Sequence, residues 1–359
     1  MNKIYLCGIL AMAAVASTSC SNEETRVNEP KSDAIEFGTY LGRDAESRAS
    51  VFTTDNMKND GFAVFASYTG QSTFSDQTMN FMHNQKVTHD GSAWTYSPLK
   101  YWPNNPGDKV SFFAYAPHNV LGATPTADKA QVTFTVQDAV ADQKDLVVAD
   151  VLKDQTKQAI AGKVTFTFKH VLARVGLNVE AMFDLVNSDA TGDTDHNTGN
   201  GEKAEKTTIN VTKVQLIGNF DKDGVIDLTS SSWTGVAAAG SEVIYTWDAD
   251  NFVTSVANDV TTTKQQLNKA DHYAMIIPQN VTGMKVCVTY TVTTTDTNLT
   301  GGKSVIENVI TSAPFNFEFA KGNAYMFNLH LGMTSVKFDA SVSNWNTDSE
   351  TVVNLPINF

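Results

Sequence analysis

Residues 163–179 read KVTFTFKHVLARVGLNV, and this stretch decides the fold. Val164, Phe166 and Phe168 alternate with Thr165, Thr167 and Lys169 in one phase. Val171, Ala173, Val175, Leu177 and Val179 then take up the opposite phase. Successive strand side chains point to opposite faces, so a period of two predicts β-structure and argues against an amphipathic helix. The flip at Lys169-His170 marks either a β-bulge or the point where one long strand changes partners.

Segments of the same kind lie on both sides. Residues 62–68 are almost continuously apolar, which predicts a strand buried on both faces. Residues 86–89 and 93–96 flank Asp90-Gly91, a hairpin signal. Residues 109–116, 131–136 and 146–150 follow, then 208–217, 225–228, 243–247, 273–278, 284–292, 304–311, 325–331 and 336–342. Many short strands separated by turn residues, in a chain rich in Thr, Val, Phe and Asn, predict an all-β protein. The length favours two β-sandwiches in tandem, over 49–155 and 156–359, joined through residues 151–163. Residues 187–206 read as a polar, Gly-rich loop.

The first residues set the destination. Met1-Asn2-Lys3 is a short basic start, Ile4 to Ala16 is apolar or small, and Ser17-Thr18-Ser19 leads into Cys20. A permanent membrane helix needs about 20 apolar residues; this run is shorter and reads as a secretory signal over 1–19. Small residues before a cysteine resemble the lipobox of bacterial lipoproteins, with cleavage before Cys20 and acylation, palmitate included, of that residue. Several acyl chains on one residue anchor a protein far better than one does.

The chain has 359 residues, 39 acidic and 26 basic, for a formal charge of −13. Lys3 is the one charged residue of the signal, so its removal gives −13 − 1 = −14. That balance argues against nucleic acid as a partner, which requires a basic surface. Of the cysteines Cys7, Cys20 and Cys287, the first leaves with the signal and the second carries lipid. Cys287 is then alone, and the fold rests on core burial rather than on a disulfide.

Chemical candidates are few, and no enzyme activity is expected. His170 sits at the phase flip of a core strand and reads as a structural histidine bonded to backbone. Cys287 lies on the Lys285/Thr289/Thr291 face of its strand with nothing nearby to activate it. Asn219, Asp221, Asp223, Gly224 and Asp227 mimic the first half of a calcium loop, but the twelfth position is Ser230 where a bidentate Glu is required. A hairpin turn at Asp223-Gly224 explains the same residues. Asp193, Asp195 and Asn197 are spaced alike, but Thr198 replaces the loop glycine and Ala204 the final Glu. No metal and no cofactor other than the covalent lipid is expected. Trp94, Tyr101 and Trp102 could stack on sugars, although aromatics on short strands are more often core.

Several strings form an ordered set. Arg48-Ala49 follows a strand carrying Ile35 and Phe37; FAVFA at 62–66 precedes Trp94-Thr95-Tyr96 and Tyr101-Trp102-Pro103. FFAYAP at 112–117, DLVVA at 145–149, FKHVLARV at 168–175 and alternating Tyr325, Phe327 and Leu329 complete it. With the lipobox, this order resembles the fimbrillin (Mfa-like) family of bacterial major, minor and accessory pilins across nearly the whole chain. The resemblance implies two transthyretin-like, Greek-key type β-sandwiches and a place in an adhesive fimbrium at the outer membrane and cell surface. It also implies a trypsin-like protease that cuts after an arginine behind the lipidated leader, 20–48. Arg48, before Ala49, matches that position best and Arg43 second; without the resemblance, both read as solvated loop charge. The implied partners are other fimbrial subunits, in a homo- or hetero-polymer, the protease, and a host or bacterial surface ligand. The runner-up is a surface lipoprotein that binds glycans and never polymerises.

The residues make such a mechanism physically plausible. Ile35, Phe37 and Leu41 fall on one face of a leader strand, and burying three such side chains contributes at most about 5–9 kcal/mol. Their removal would expose an apolar groove and unpaired strand edges, which favours strand addition. The tail within 345–359 is the natural donor: Val353, Leu355, Ile357 and Phe359 alternate with Val352, Asn354, Pro356 and Asn358. Pro356 lacks an N–H and suits an edge or donor strand.

Overall fold

The structure, a computed structural model, describes residues 33–41, 53–75, 78–182, 207–237, 241–295, 299–345 and 350–357, which are mostly β. In chain order come β1 (Glu36–Leu41), helix α1 (Thr54–Asp60), β2 (Phe62–Gly70), β3 (Met82–His89), β4 (Trp94–Thr95), β5 (Lys109–Ala116), β6 (Ala123–Pro125) and β7 (Gln131–Thr135). A 3₁₀ turn at Val140–Asp142 precedes β8 (Val147–Ala149), β9 (Leu152–Gln155), β10 (Lys163–His170) and β11 (Ala173–Ala181). Then follow β12 (Thr207–Gly218), β13 (Asp223–Asp227), β14 (Ser232–Ala237), β15 (Val243–Trp247), α2 (Thr254–Asn258), β16 (Gln265–Gln266) and β17 (Ala274–Ile276). The chain closes with β18 (Gln279–Thr295), β19 (Lys303–Thr311), β20 (Phe315–Phe319), β21 (Asn323–Leu331), β22 (Val336–Asn344) and β23 (Glu350–Ile357). Among the described residues no helix is long and apolar enough to cross a membrane.

These strands form four sheets among the described residues. An eight-stranded sheet runs β1-β10-β8-β5-β2-β3-β4 with β9 beside β5, and a six-stranded sheet runs β16-β11-β21-β22-β23 with β17 beside β11. A five-stranded sheet runs β15-β12-β18-β19 with β20 beside β18, and a four-stranded sheet runs β14-β13-β7-β6.

The apolar run of β2 is buried on both faces, as its lack of alternation predicts. Phe62, Val64 and Ala66 enter one hydrophobic cluster, while Ala63 and Phe65 enter another. Strand β5 splits the same way, Phe112 and Ala114 against Phe113 and Tyr115. Burial pushes the Tyr115 phenol up to about 12. The phase flip is a change of sheet. Val164, Phe166 and Phe168 of β10 enter the first cluster; Ala173, Val175, Leu177 and Val179 of β11 enter the second. Accordingly β10 pairs with β1 and β8, and β11 with β21, β17 and β16.

Two expectations need correction. The division at 155/156 cuts through a sheet, because β10, after it, pairs with β8, before it. Strands β13 and β14 also return to the first half: β13 pairs with β7, placing Ile226 beside Val132, both in the larger cluster. A strand with a free edge takes the partner that also buries its apolar face, whatever the distance along the chain. Nor is Asp223-Gly224 a turn. It opens β13, with a register shift before Val225, and the hairpin to β14 bends after Asp227.

Helix α1 carries little helical periodicity; Met57 is its one fully buried apolar side chain. It is held by a capping box: the Asn56 amide donates to Thr53 Oγ1 at 3.1 Å, and the Thr53 amide donates to Asn56 Oδ1 at 3.0 Å. Gly61 ends it at φ 73°, where a Cβ would lie 2.5 Å from the Val87 carbonyl oxygen.

Candidate functional site: the leader-strand cleft and the tail edge

Among the described residues strand β1 is the last strand of the eight-stranded sheet, and its ladder runs on one side only, parallel to β10, from Glu36↔Lys163 to Leu41↔Phe168, with a single bridge from Ala34 to Tyr101 at its entry. Its position is peripheral but its side chains are core. Ile35, Phe37 and Leu41 are 1, 3 and 4% exposed, with Tyr40 turned outward. Phe37 sits in an aromatic cage: stacked on Phe166 at 5.9 Å, tilted on Tyr96 at 5.1 Å, and edge-on to Phe62 and Phe112 at 6.2 and 6.3 Å. Such pairs add about 0.5–1.5 kcal/mol each beyond area burial.

Polar contacts fix the entry of the strand. The Ile35 amide donates to the Lys100 carbonyl at 2.9 Å, and the Tyr96 hydroxyl lies 2.9 Å from the Ile35 carbonyl. Burial raises the Tyr96 phenol above its ordinary range, keeping that hydroxyl a donor. An open cleft of 400 Å³ runs along β1, between Glu36–Thr39 residues on one wall and His89, Ser92, Ala93 and Trp94 of the β3–β4 hairpin on the other. Lys163 and Thr165 of β10 also line it. The hairpin is shaped by Asp90, whose Oδ1 accepts from the Ser92 and Ala93 amides at 2.8 Å each. Those donors, Ala93 first, lower its carboxyl to about 2.

The tail strand β23 occupies a different edge. It pairs antiparallel with β22, with Val353 opposite Ala340 and Ile357 opposite Phe338. Residues 354–356 therefore face Asp339 alone, an irregularity that contains Pro356 and spares a ladder hydrogen bond that proline cannot make. The tail is thus paired within its own chain rather than free, because β22 offers it an edge. Leu355 lies in this irregular stretch, and Phe359 falls outside the described residues.

A buried cluster sits where the two sheets meet. His170 ends β10, and its Nδ1 lies 2.6 Å from Asp145 Oδ2. Its ring stacks on Trp345 at 3.8 Å and 8°. The Arg174 guanidinium lies 4.5 Å from the Trp345 ring centroid and 4.7 Å from that of Tyr273. His170 is thus held by a buried carboxylate and by the aromatic ring that follows β22. The arrangement can brace the leader's neighbour strand against the root of the tail.

A second polar group escapes sequence reading. On β11, β21 and β22, His330 places Nδ1 2.6 Å from Glu180 Oε1 and Nε2 2.8 Å from Asp339 Oδ2. The register Glu180↔His330 creates this bridge, and nothing local in the sequence announces it.

The remaining candidates fall as follows. Cys20, Arg43, Arg48, Ala49, Asp193 and Asp195 lie outside the described residues. Asp221 gives its backbone to Gln279, its amide donating to Oε1 at 2.7 Å. Asp223 Oδ1 accepts from Thr135 Oγ1, and Asp227 accepts from the Thr229 amide and Gln131. Among the described residues no three His, Cys, Asp or Glu side chains are grouped to hold a metal ion. Cys287 is buried between Gln215 and Thr311 in its sheet. Trp102 is core and donates to the Gly162 carbonyl at 3.0 Å, Trp94 packs on Phe62, and Tyr101 is exposed.

Comparison with known proteins adds a lineage to this geometry. A family described as fimbrillin-like matches residues 47–345, a span that begins after β1 and ends before β23. The fimbrium subunit Fim1C of Phocaeicola vulgatus is 26% identical over 390 aligned residues, covering 97% of this chain and 98% of that protein. The crystal structure of a fimbrial protein from Bacteroides vulgatus shares the fold, with a TM-score of 0.66 at 21% identity over 87% of this chain and 99% of that one.

Proposed function

Because the chain belongs to the fimbrillin-like family, we propose that it is a structural subunit of a cell-surface fimbria, matured by removal of its leader and completed by a strand from a neighbouring subunit. The observation that carries this reading is the double character of β1. It is an edge strand by hydrogen bonding and a core strand by side-chain burial. An edge strand can leave without breaking a sheet in two. A core strand cannot leave without exposing an apolar slot, here floored by Phe62, Phe112 and Phe166. A donated strand with alternating apolar residues would refill the slot and pair with the bared edge of β10.

In this reading, acylated Cys20 carries the precursor to the outer membrane, and a trypsin-like protease cuts after Arg48. The tail, with Val353, Leu355, Ile357 and Phe359, is the donor, and it must first leave β22. The role is structural and adhesive, and the partners are other fimbrial subunits.

The test is to treat purified precursor with a trypsin-like protease and follow it by denaturing gel and electron microscopy. Expected are an N-terminus at Ala49, a ladder of oligomers and visible fibres, with Arg48→Ala blocking all three. Clean cleavage at Ala49 that leaves a stable monomer at high concentration would overturn the strand-exchange step.

A further inference from the structure

Strand β19 is the outer strand of the five-stranded sheet, and no strand lies on its far side among the described residues. Its register with β18 runs unbroken from Cys287↔Thr311 to Thr295↔Lys303. Natural edges are blunted by shortness, proline, bulges or rows of charge. This one is nine residues long, has no proline and no bulge, and exposes Val305, Ile306 and Val309 by 54, 41 and 63%. Val305 and Val309 stand on the outer face beside Thr293 and Thr289 of β18. Ile306 stands on the core face beside buried Val292, yet overhangs into solvent. Two charges punctuate the strand, Lys303 and Glu307, both exposed and neither in an ion pair among the described residues.

We propose that this edge is a lateral docking site for a second copy of the chain, β19 pairing antiparallel with β19 about a two-fold axis at Val305. Charge selects both occupant and register. Directly opposed residues of an antiparallel pair share a face, so the outer residues 303, 305, 307 and 309 must meet one another. With the axis at Val305, Lys303 of each copy opposes Glu307 of the other. With the axis at Ile306, neither charge meets its opposite; with the axis at Glu307, two carboxylates collide. Opposite charges directly across a ladder stabilise it and like charges destabilise it. The chosen register also sets Val305 against its own copy and brings the two Ile306 side chains within diagonal reach, covering apolar surface that the monomer leaves wet.

The contact is isologous, so it closes after two copies. One short edge pair buries less than a stable dimer needs, and the charge of −13 opposes association. It therefore gains weight when copies are arrayed along fibres, where many weak pairs act together. The inference rests on the β19 edge alone and survives failure of the strand-exchange reading.

The test is oxidative cross-linking of the full chain carrying Lys303→Cys, Val305→Cys, Glu307→Cys or Val309→Cys, each compared with the parent, which carries Cys7, Cys20 and Cys287 alike in every variant. Leu121→Cys, on an exposed loop residue, reports random collision. Val305→Cys should dimerise about tenfold faster than Leu121→Cys, as expected for a preformed encounter, and faster than the other three. In the Val305→Cys chain, Lys303→Glu or Glu307→Lys should each slow the reaction about twofold or more, and the double charge swap should restore it. A maximum at Glu307→Cys, rates equal to the control at every β19 position, or a double swap that stays slow while its circular dichroism matches the parent would overturn the proposal.

Discussion

The two ends of the described chain finish as edge strands, β1 and β23, but they are held in different ways. Strand β1 is parallel to β10 and anchored by its side chains, with Phe37 caged by four aromatic rings. Strand β23 is antiparallel to β22 and adds its backbone to the outer side of that sheet. Phe338 of β22 is held by Phe327 at 4.9 Å and by Phe315 at 6.2 Å, both from other strands. The leader thus completes a core, while the tail extends a sheet. A strand of the first kind leaves a gap that must be refilled; one of the second kind can detach and leave its sheet intact.

The sharpest way to break this contrast is Phe37→Ala in the precursor. Removing a caged phenylalanine should lower unfolding free energy by about 3–5 kcal/mol in urea titration. A loss near the level of a surface substitution would mean that the cage tolerates an empty place, and β1 would no longer be core. Deleting residues 350–359 should cost less than Phe37→Ala in the same assay, leaving a folded monomer, while abolishing protease-triggered polymers. Polymers of unchanged length after the deletion would reject the tail as donor strand.

Much of this was legible in local pattern, because pattern reports burial. The alternation of Ile35, Phe37 and Leu41 placed β1 on a core, and the phase flip at Lys169-His170 marked the change of sheet. Strand pairing was not legible, since register depends on partners far along the chain. Val132 and Phe134 display a clean apolar face, but nothing in them names β13 as the strand beside them. The same limit hid the Glu180–His330–Asp339 bridge and the stacking of His170 on Trp345. Asp223-Gly224 misled for the opposite reason: its composition favours a turn, but pairing to Thr135 and Phe134 overrides local preference. Helix α1, with a single buried Met57, had too few apolar residues to show a period.

The brace between the ends is open to a milder test. Trp345→Leu keeps an apolar side chain but loses the stack on His170 and the contact with Arg174. A loss of about 1–2 kcal/mol is expected from aromatic and cation–π contributions. Amide exchange over residues 350–357 should accelerate more than exchange in β1. Equal acceleration at both ends would show that they unfold as one unit and that the contrast between them is only geometric.

The smallest expected effect concerns Asp90, which shapes the leader cleft without touching the leader. Its carboxylate is exposed and holds the hairpin by accepting the Ser92 and Ala93 amides, so its folded-state value falls from 3.8 to about 2. A depressed carboxyl stabilises the fold above its unfolded value and loses that contribution as pH falls through the folded one. The parent's advantage over Asp90→Ala should therefore be constant from pH 7 down to about 4 and shrink toward pH 2. Tail exchange should not register the substitution, because Asp90 lies in the β3–β4 turn of the eight-stranded sheet and β23 in the six-stranded one. An advantage that persists undiminished at pH 2 would assign it to hairpin packing rather than to the charge, and a tail that responds would tie β23 to the leader cleft by a route other than Trp345.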